Sequence, residues 1–165
     1  MALIKTNARS ATALDATILT GTVPSGSYTS GKVLQVIRAS TTTTTTTSST
    51  SMVDITNLTV NITPSATSSK IYVIMNVNGI ASSGSALAGA SLRIYRASDV
   101  SGEAINIGFG TTDALNDSAT LTALESPSST SELTYKGQCK NREATAISVN
   151  NSSDTSSITV MEIAG

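Results

Sequence analysis

The sequence contains no histidine and no tryptophan, and its one cysteine is Cys139. The absence of histidine removes the commonest general base and metal ligand, so a Ser-His-Asp triad cannot form and Cys139 has no histidine partner. One cysteine cannot form a disulfide within the chain, and we expect it to lie semi-buried on a strand. A structural zinc site would need several cysteine or histidine ligands. These absences predict a protein that is not an enzyme and that binds no metal and no cofactor.

Charge and aromatic side chains are also scarce. Charged residues make up 13% of the chain, aromatic residues make up 3%, and the formal net charge is −1. Such a chain has no basic footprint for nucleic acid or anionic lipid, and no apolar run reaches the roughly 18 residues that a membrane span needs. The segment MALIKTNARSATALDA lacks an apolar core of signal-peptide length, which predicts synthesis in the cytoplasm without export. We therefore expect no nucleic-acid partner and no membrane insertion.

The sequence does not exclude two further kinds of site, a calcium loop and a glycosidase site. Asp113 and Asp117, within TTDALNDS, could form a weak calcium loop, although a solvated turn is the better interpretation. The paired carboxylates of a glycosidase are defined by their separation in space, which a sequence does not give. The scarcity of aromatic residues argues against a sugar-cleaving site. No glycine-rich stretch matches a phosphate-binding or dinucleotide-binding loop.

The abundant residues are serine and threonine, which together make up about a third of the chain, and β-branched valine and isoleucine accompany them. Low charge with many β-branched residues is untypical of disordered chains and favours strands. From Gly31 onward, short segments of alternating polarity recur between turn residues. This pattern predicts an all-β protein with an antiparallel β-sandwich, for which jelly-roll topology is the preferred arrangement. The predicted strands are Lys32–Ala39, Met52–Ile55, Leu58–Ile62, Lys70–Gly79, Ser91–Ala97, Ile105–Phe109, Leu121–Glu125, Leu133–Cys139, Ile147–Val149 and Ile158–Ile163.

The longest predicted strand, KIYVIMNVNG, has two different faces. Its apolar face predicts burial between two sheets, and the mixed face predicts a partly solvated surface. The apolar face carries Ile71, Val73, Met75 and Val77, and the mixed face carries Tyr72, Ile74, Asn76 and Asn78.

Seven consecutive threonines, Thr41–Thr47, form the most unusual stretch of the sequence. A linker, a glycosylated stalk and a part of the fold are the three interpretations, and the lack of an export signal argues against the stalk. Threonine has high strand propensity, and threonine hydroxyls bond one another across strands. We therefore predict that the run ends one strand and begins the next, with a loop between them, at a sheet edge or a subunit contact.

The first 31 residues differ from the rest because their apolar residues follow no sustained period. We predict an extended N-terminal arm over residues 1–31 and a sandwich domain over residues 32–165. An arm without a core must lie on a surface, either of its own domain or of a partner. The residues predicted to make such an attachment are Leu3, Ile4, Leu14, Ile18 and Leu19.

The stretch from Gly31 to Gly79 resembles a module of tail-fibre and other virion proteins of tailed bacteriophages, especially marine phages and cyanophages. That pattern combines a GKVLQV strand, a Thr/Ser-rich stretch, an ITPS turn and an SSKI strand. The segments LRIYR at 92–96 and MALIKTNARSATALDATILTG are also typical of such proteins. The resemblance covers about a third of the chain, and the matching pieces are Gly31–Val36, Ser51–Asp54, Leu58–Ser65 and Ser68–Val73.

This resemblance implies a non-enzymatic virion structural protein that forms a homotrimer and contacts other virion proteins through residues 1–31. One version is a short fibre or tail-fibre-type protein whose loops contact a host surface glycan or receptor. The other version is a capsid decoration (cement) protein that stabilises the head, which the short chain favours. A carbohydrate-binding or adhesin module is a third alternative, although it lacks a secretion signal. The loops of the fibre version lack the aromatic residues that carbohydrate-binding tips generally offer. The loops in question are Ala81–Gly89, Gly110–Ser118 and Ser126–Ser131.

Overall fold

The fold is an all-β antiparallel sandwich of two sheets, as the sequence predicts. The computed structural model describes residues 31–82, 89–97, 99–108, 117–142 and 146–165, and for 99–108 it describes the backbone alone. The predicted N-terminal arm lies outside these residues except for Gly31. One three-residue 3-10 turn, Asn151–Ser153, precedes the last strand. The strands are β1 Val33–Thr41, β2 Thr45–Thr47, β3 Val53–Ile62, β4 Lys70–Ser82, β5 Gly89–Arg96, β6 Asp99–Gly108, β7 Asp117–Glu125, β8 Leu133–Asn141, β9 Ile147–Val149 and β10 Ser156–Ile163.

The longest strand, β4, organises the first sheet. The strand order in this sheet is β1-β10-β4-β9-β2, and β7 also pairs with β4. Over its first part β4 therefore lies between β10 and β7, while Ala81 and Ser82 at its end pair with β9. The second sheet has the order β3-β8-β5-β6. Every described pairing in both sheets is antiparallel.

The core lies between the two sheets and confirms the predicted alternation. The four apolar side chains predicted on one face of β4 are fully buried, whereas those on its other face are only half-buried. Buried residues of β3, β5 and β8 meet them from the second sheet. Packing is tight at Gly137 of β8, where a Cβ atom would overlap Leu58 and lie 2.8 Å from the sulfur of Met75. Only glycine fits at this position without a shift of these neighbours.

The prediction of separate strands at Met52–Ile55 and Leu58–Ile62 is wrong, because one bulged strand, β3, runs through both. The register of β3 against β8 shifts between Asp54 and Thr59, and Asn57 has a φ of 61°. The extra residues form a β-bulge, which interrupts the alternation without ending the strand. An interrupted alternation resembles a turn in sequence, and this resemblance explains the error.

Strands β5 and β10 begin two residues earlier than predicted, and two others begin earlier by four residues or more. The strand predicted from Ile105 starts at Asp99, and the strand predicted from Leu121 starts at Asp117. Both added segments, DVSGEA and DSAT, are small and polar, so they carry no apolar period. Their strand conformation comes from backbone pairing with β5 and β4, which are already placed by their buried faces. Tertiary pairing overrides weak local propensity at these positions.

The threonine run confirms the predicted strand, loop and strand. Strand β1 ends at Thr41, residues 42–44 form the loop, and Thr45–Thr47 form β2. Strands β1 and β2 lie at opposite ends of the described order of the first sheet, so the predicted position at sheet edges is also confirmed.

Hydroxyl bonds fix the register of this uniform run. The Thr45 hydroxyl accepts a bond of 2.9 Å from the backbone N–H of Thr56, which lies at the bulge of β3. The hydroxyls of Thr46 and Ser148 lie 3.0 Å apart on the paired strands β2 and β9. The Thr44 hydroxyl donates to the carbonyl of Asn150 at 2.9 Å. Each of these threonines thus has its own partner, although the side chains are identical.

Candidate functional site

A buried carboxylate, Glu162, links β10 to two segments that are distant in sequence, β1 and the connection between β3 and β4. Its side chain is 1% exposed. One carboxylate oxygen accepts bonds from the Ser65 backbone N–H at 2.7 Å, the Ser65 hydroxyl at 2.6 Å and the Ser69 hydroxyl at 2.6 Å. The other oxygen accepts a bond of 2.6 Å from the amide of Gln35, which also donates to the Thr63 carbonyl. We call Glu162 with Gln35, Ser65 and Ser69 the Glu162 cluster.

Hydrogen bonds keep this carboxylate ionised. Burial raises the pKa of Glu162, but the donors from Ser65, Ser69 and Gln35 outweigh burial and lower it to about 2. All of these donors are neutral groups, so directed dipoles stabilise the charge. Both oxygens of this ionised carboxylate accept hydrogen bonds from the protein. We therefore interpret Glu162 as a group that holds these segments together.

The three donors belong to three of the pieces that carry the resemblance to phage virion proteins. Gln35 lies in GKVLQV, Ser65 ends LTVNITPS, and Ser69 lies in SSKIYV. These pieces therefore meet at a single carboxylate in the fold. Sequence reasoning missed Glu162 because an acidic residue near the end of a strand looks solvent-exposed. The available signal was its inward position in SSITVMEI, where it continues the buried series of Ile158 and Val160.

An apolar row crosses the outer face of the first sheet. Strand register places Val36 beside Met161, Met161 beside Tyr72, and Tyr72 beside Leu124. Val36 is 57% exposed and Leu124 is 58% exposed, whereas Met161 and Tyr72 are half-buried. The outer face of an antiparallel sheet is ordinarily polar, so this row is unusual.

The row belongs to a patch at one end of the sheet. Val33 pairs with Ile163 beside the row, and Val33 and its neighbour Leu34 are also exposed. On its other side Ile163 pairs with the exposed Lys70, which bounds the patch there. The four exposed large hydrophobic residues of the described part of the chain thus all lie at this end. Toward the other end the same face becomes hydroxyl-rich. We call the following residues the apolar patch: Val33, Leu34, Val36, Tyr72, Leu124, Met161 and Ile163.

A surface cleft of about 460 Å³ lies on the second sheet beside Tyr95. The guanidinium of Arg93 lies 5.1 Å from the centre of the Tyr95 ring, within the range of a cation–π contact. The cleft therefore offers an aromatic ring with charged and hydroxyl groups, which suits a polar ligand with one apolar face. Its lining consists of Tyr95, Arg96, Ala97, Glu132, Leu133, Thr134 and Lys136.

A polar network next to the cleft orients its charged side chains. The carboxylate of Asp54 accepts bonds from the Lys136 ammonium at 2.8 Å and the Gln138 amide at 2.6 Å. Gln138 in turn accepts a bond of 2.7 Å from Arg93. Burial raises the pKa of Asp54, but the bonds from Gln138 and Lys136 outweigh it and hold the pKa below its ordinary value. The Lys136 ammonium therefore forms an ion pair with Asp54 at the surface.

The remaining chemical groups do not form a reactive constellation in the part of the chain that the structure describes. Cys139 lies on a strand, β8, as predicted, but it is fully buried and not semi-buried, and burial raises its pKa to about 11. Over the described ranges, no group of three or more His, Cys, Asp or Glu residues could hold a metal ion. The described residues also include no helix that is long and apolar enough to cross a membrane.

Several predicted sites fall outside the described residues. Asp113 of the possible calcium loop is not described, whereas Asp117 opens β7 and accepts a bond from the Ser118 backbone N–H. Of the three predicted receptor loops, only residues 126–131 are described throughout, as the connection between β7 and β8. The predicted attachment residues of the arm also lie outside, namely Leu3, Ile4, Leu14, Ile18 and Leu19.

In comparisons with known proteins, no family model and no curated protein matches this chain.

Proposed function

We propose that this chain is a non-enzymatic structural protein of a tailed-bacteriophage particle. The observation that carries the proposal is the convergence of Gln35, Ser65 and Ser69 on Glu162. In a chain rich in serine and threonine, short matches to a motif arise by chance. In the fold, however, Gln35 of the first matching piece and the connection at residues 65–69, which joins two later pieces, donate to the same buried carboxylate. The pieces therefore behave as one folded module, which supports the resemblance to virion proteins.

In this proposal the sandwich is a knob that projects from the particle, and the N-terminal arm attaches it. Three copies form the knob, as the resemblance implies. The described hydrophobic core is built from residues between Ile55 and Val160. A domain with such a core can fold as a unit and be carried by an N-terminal arm. The primary assignment is a short fibre or tail-fibre-type protein, or a protein of the capsid surface.

Two other candidates are each supported by a specific observation. A capsid decoration protein fits the connection at 126–131, which offers no aromatic residue for a glycan. A carbohydrate-binding or adhesin module is supported by the Tyr95 cleft, where an aromatic ring lies beside charged groups. Glycan binding to the isolated protein, abolished by Tyr95→Ala, would favour this last candidate.

Deletion of residues 1–22 is expected to leave a folded sandwich that no longer joins phage particles. The reason is that the deletion removes Leu3, Ile4, Leu14, Ile18 and Leu19 while leaving every strand of the described core intact. The measurement is mass spectrometry of purified particles after infection of cells that supply either the full or the shortened chain.

Circular dichroism of the shortened protein serves as the control for folding. Incorporation of the folded, shortened protein at the level of the full chain would show that the arm is not the anchor. The attachment site would then have to lie on the sandwich itself.

A further inference from the structure

The apolar patch is too small to be the whole interface of a stable protein dimer. It spans four strands, which at about 4.8 Å per strand gives a width of roughly 15 Å. Its length is that of two cross-strand rows, roughly 10 Å. A stable interface buries about 800 Å² on each partner, several times this flat area. Beyond the patch, the same face carries side chains such as Asn76, Thr120 and Ser157. A narrow apolar segment matches the patch better than a globular surface does.

The chain itself supplies such a segment at the right place. The Gly31 backbone N–H donates to the Ala164 carbonyl at 2.8 Å, and the Ala164 N–H donates to the Lys32 carbonyl at 2.8 Å. These bonds extend the pairing of β1 and β10 to Gly31. Residues 1–30 therefore join the sandwich at the end of the sheet that carries Val33 and Ile163, which are members of the patch.

The length of this segment suffices to cover the patch. Eleven residues, 20–30, separate Leu19 from Gly31, and a chain of that length reaches about 36 Å when extended. The patch is less than half as wide. Because the segment is tethered beside the patch, its effective concentration is in the millimolar range, and weak apolar contacts suffice for docking.

We infer that Leu14, Ile18 and Leu19 of the same chain cover the apolar patch. This inference leaves Leu3 and Ile4 available for the particle attachment proposed above. The inference rests on the patch and on the position of Gly31, and it holds whether or not the protein belongs to a phage particle.

The test places a cysteine in the patch of the full-length protein. Leu124→Cys is labelled with a thiol reagent, once with the natural arm and once with Leu14, Ile18 and Leu19 replaced by serine. We expect labelling at least about tenfold faster in the serine variant, because a docked arm shields the thiol. Thr120→Cys is the matched control, since Thr120 lies exposed on the same face of β7 outside the patch. Its labelling rate is expected to be the same with both arms.

Cys139 reports on folding in the same experiment because it is fully buried and reacts only if the sandwich opens. Should the triple serine variant also expose Cys139, Ile18→Ser alone replaces it, and labelling of Leu124→Cys must still accelerate. Equal labelling with the natural and altered arms overturns the inference. Protection that appears only at high protein concentration also overturns it, since the occupant is then a second copy.

Discussion

Replacement of Glu162 by glutamine is expected to lower the free energy of unfolding by about 2–4 kcal/mol at pH 7. The carboxylate accepts four hydrogen bonds within a buried site. The amide of glutamine has nearly the same shape but replaces one accepting oxygen with a donor, so at least one of the four donors loses its partner. A buried donor without a partner carries a desolvation cost. The measurement is urea unfolding, with the change taken from the midpoint at constant slope.

The matched control is Glu132→Gln, which makes the same chemical change at an exposed position. Glu132 accepts one long bond of 3.3 Å from Asn61, and we expect a change within about 0.5 kcal/mol. Equal destabilisation by both substitutions would contradict the role assigned to the Glu162 cluster.

The pH dependence of this effect follows from the pKa of Glu162, which the fold lowers from 4.5 to about 2. A lowered pKa contributes stability that is fully present above the unfolded value and is lost as pH falls toward the folded value. The gap in unfolding free energy between the natural protein and Glu162→Gln is therefore expected to be constant above about pH 5. It should narrow as pH falls from about 4.5 to about 2. A gap that is unchanged at low pH would show that the carboxylate charge is not responsible.

Replacement of Gly79 by alanine is expected to destabilise the protein by about 3 kcal/mol or more. Gly79 has a φ of +61°, where a side chain is strained, and an added Cβ would lie 2.7 Å from the backbone nitrogen of Asn151. That backbone has little freedom to move, because the Asn150 N–H bonds the Asn78 carbonyl at 3.0 Å. The backbone strain at Gly79 and the overlap of the added Cβ with Asn151 therefore both contribute to the loss of stability. Gly79 is the point at which β4 passes the 3-10 turn. The change in unfolding free energy is measured by urea unfolding.

Gly31→Ala separates these two contributions. Gly31 also has a positive φ, of +79°, but no described atom lies within 4 Å of its added Cβ. Only the conformational strain of about 1–2 kcal/mol remains there. If the two alanine variants lose equal stability, the close approach of Gly79 to Asn151 is not important for stability.

Alternation in the sequence predicts those parts of the fold in which one face of a strand is apolar. The buried faces of β4 and β8 follow this rule, since Val73 and Met75 alternate with half-buried residues, and Tyr135 does the same. The bulge in β3 breaks the alternation, and the sequence there resembles a turn. A local pattern reports burial, but it does not distinguish an inserted residue from the end of a strand.

Burial of Glu162 follows from alternation, but its hydrogen-bond partners and the apolar patch could not be predicted, because both depend on which strands become neighbours. Val36, Met161 and Leu124 are far apart in sequence, and they align only through the pairing of four strands. Register between distant strands is set by tertiary packing and not by local sequence. The motif pieces contain Gln35 and Ser65 as parts of a module, but the carboxylate that unites them lies 97 residues beyond Ser65.

The number of copies in purified particles tests the proposed role most directly. Quantitative mass spectrometry against the major capsid protein gives this number for particles grown with the natural chain. We expect a fixed stoichiometry in multiples of a symmetric assembly, with on the order of hundreds of copies for a decoration protein and about a dozen to a few dozen for a fibre. Absence of the chain from purified particles would contradict a structural role in the virion.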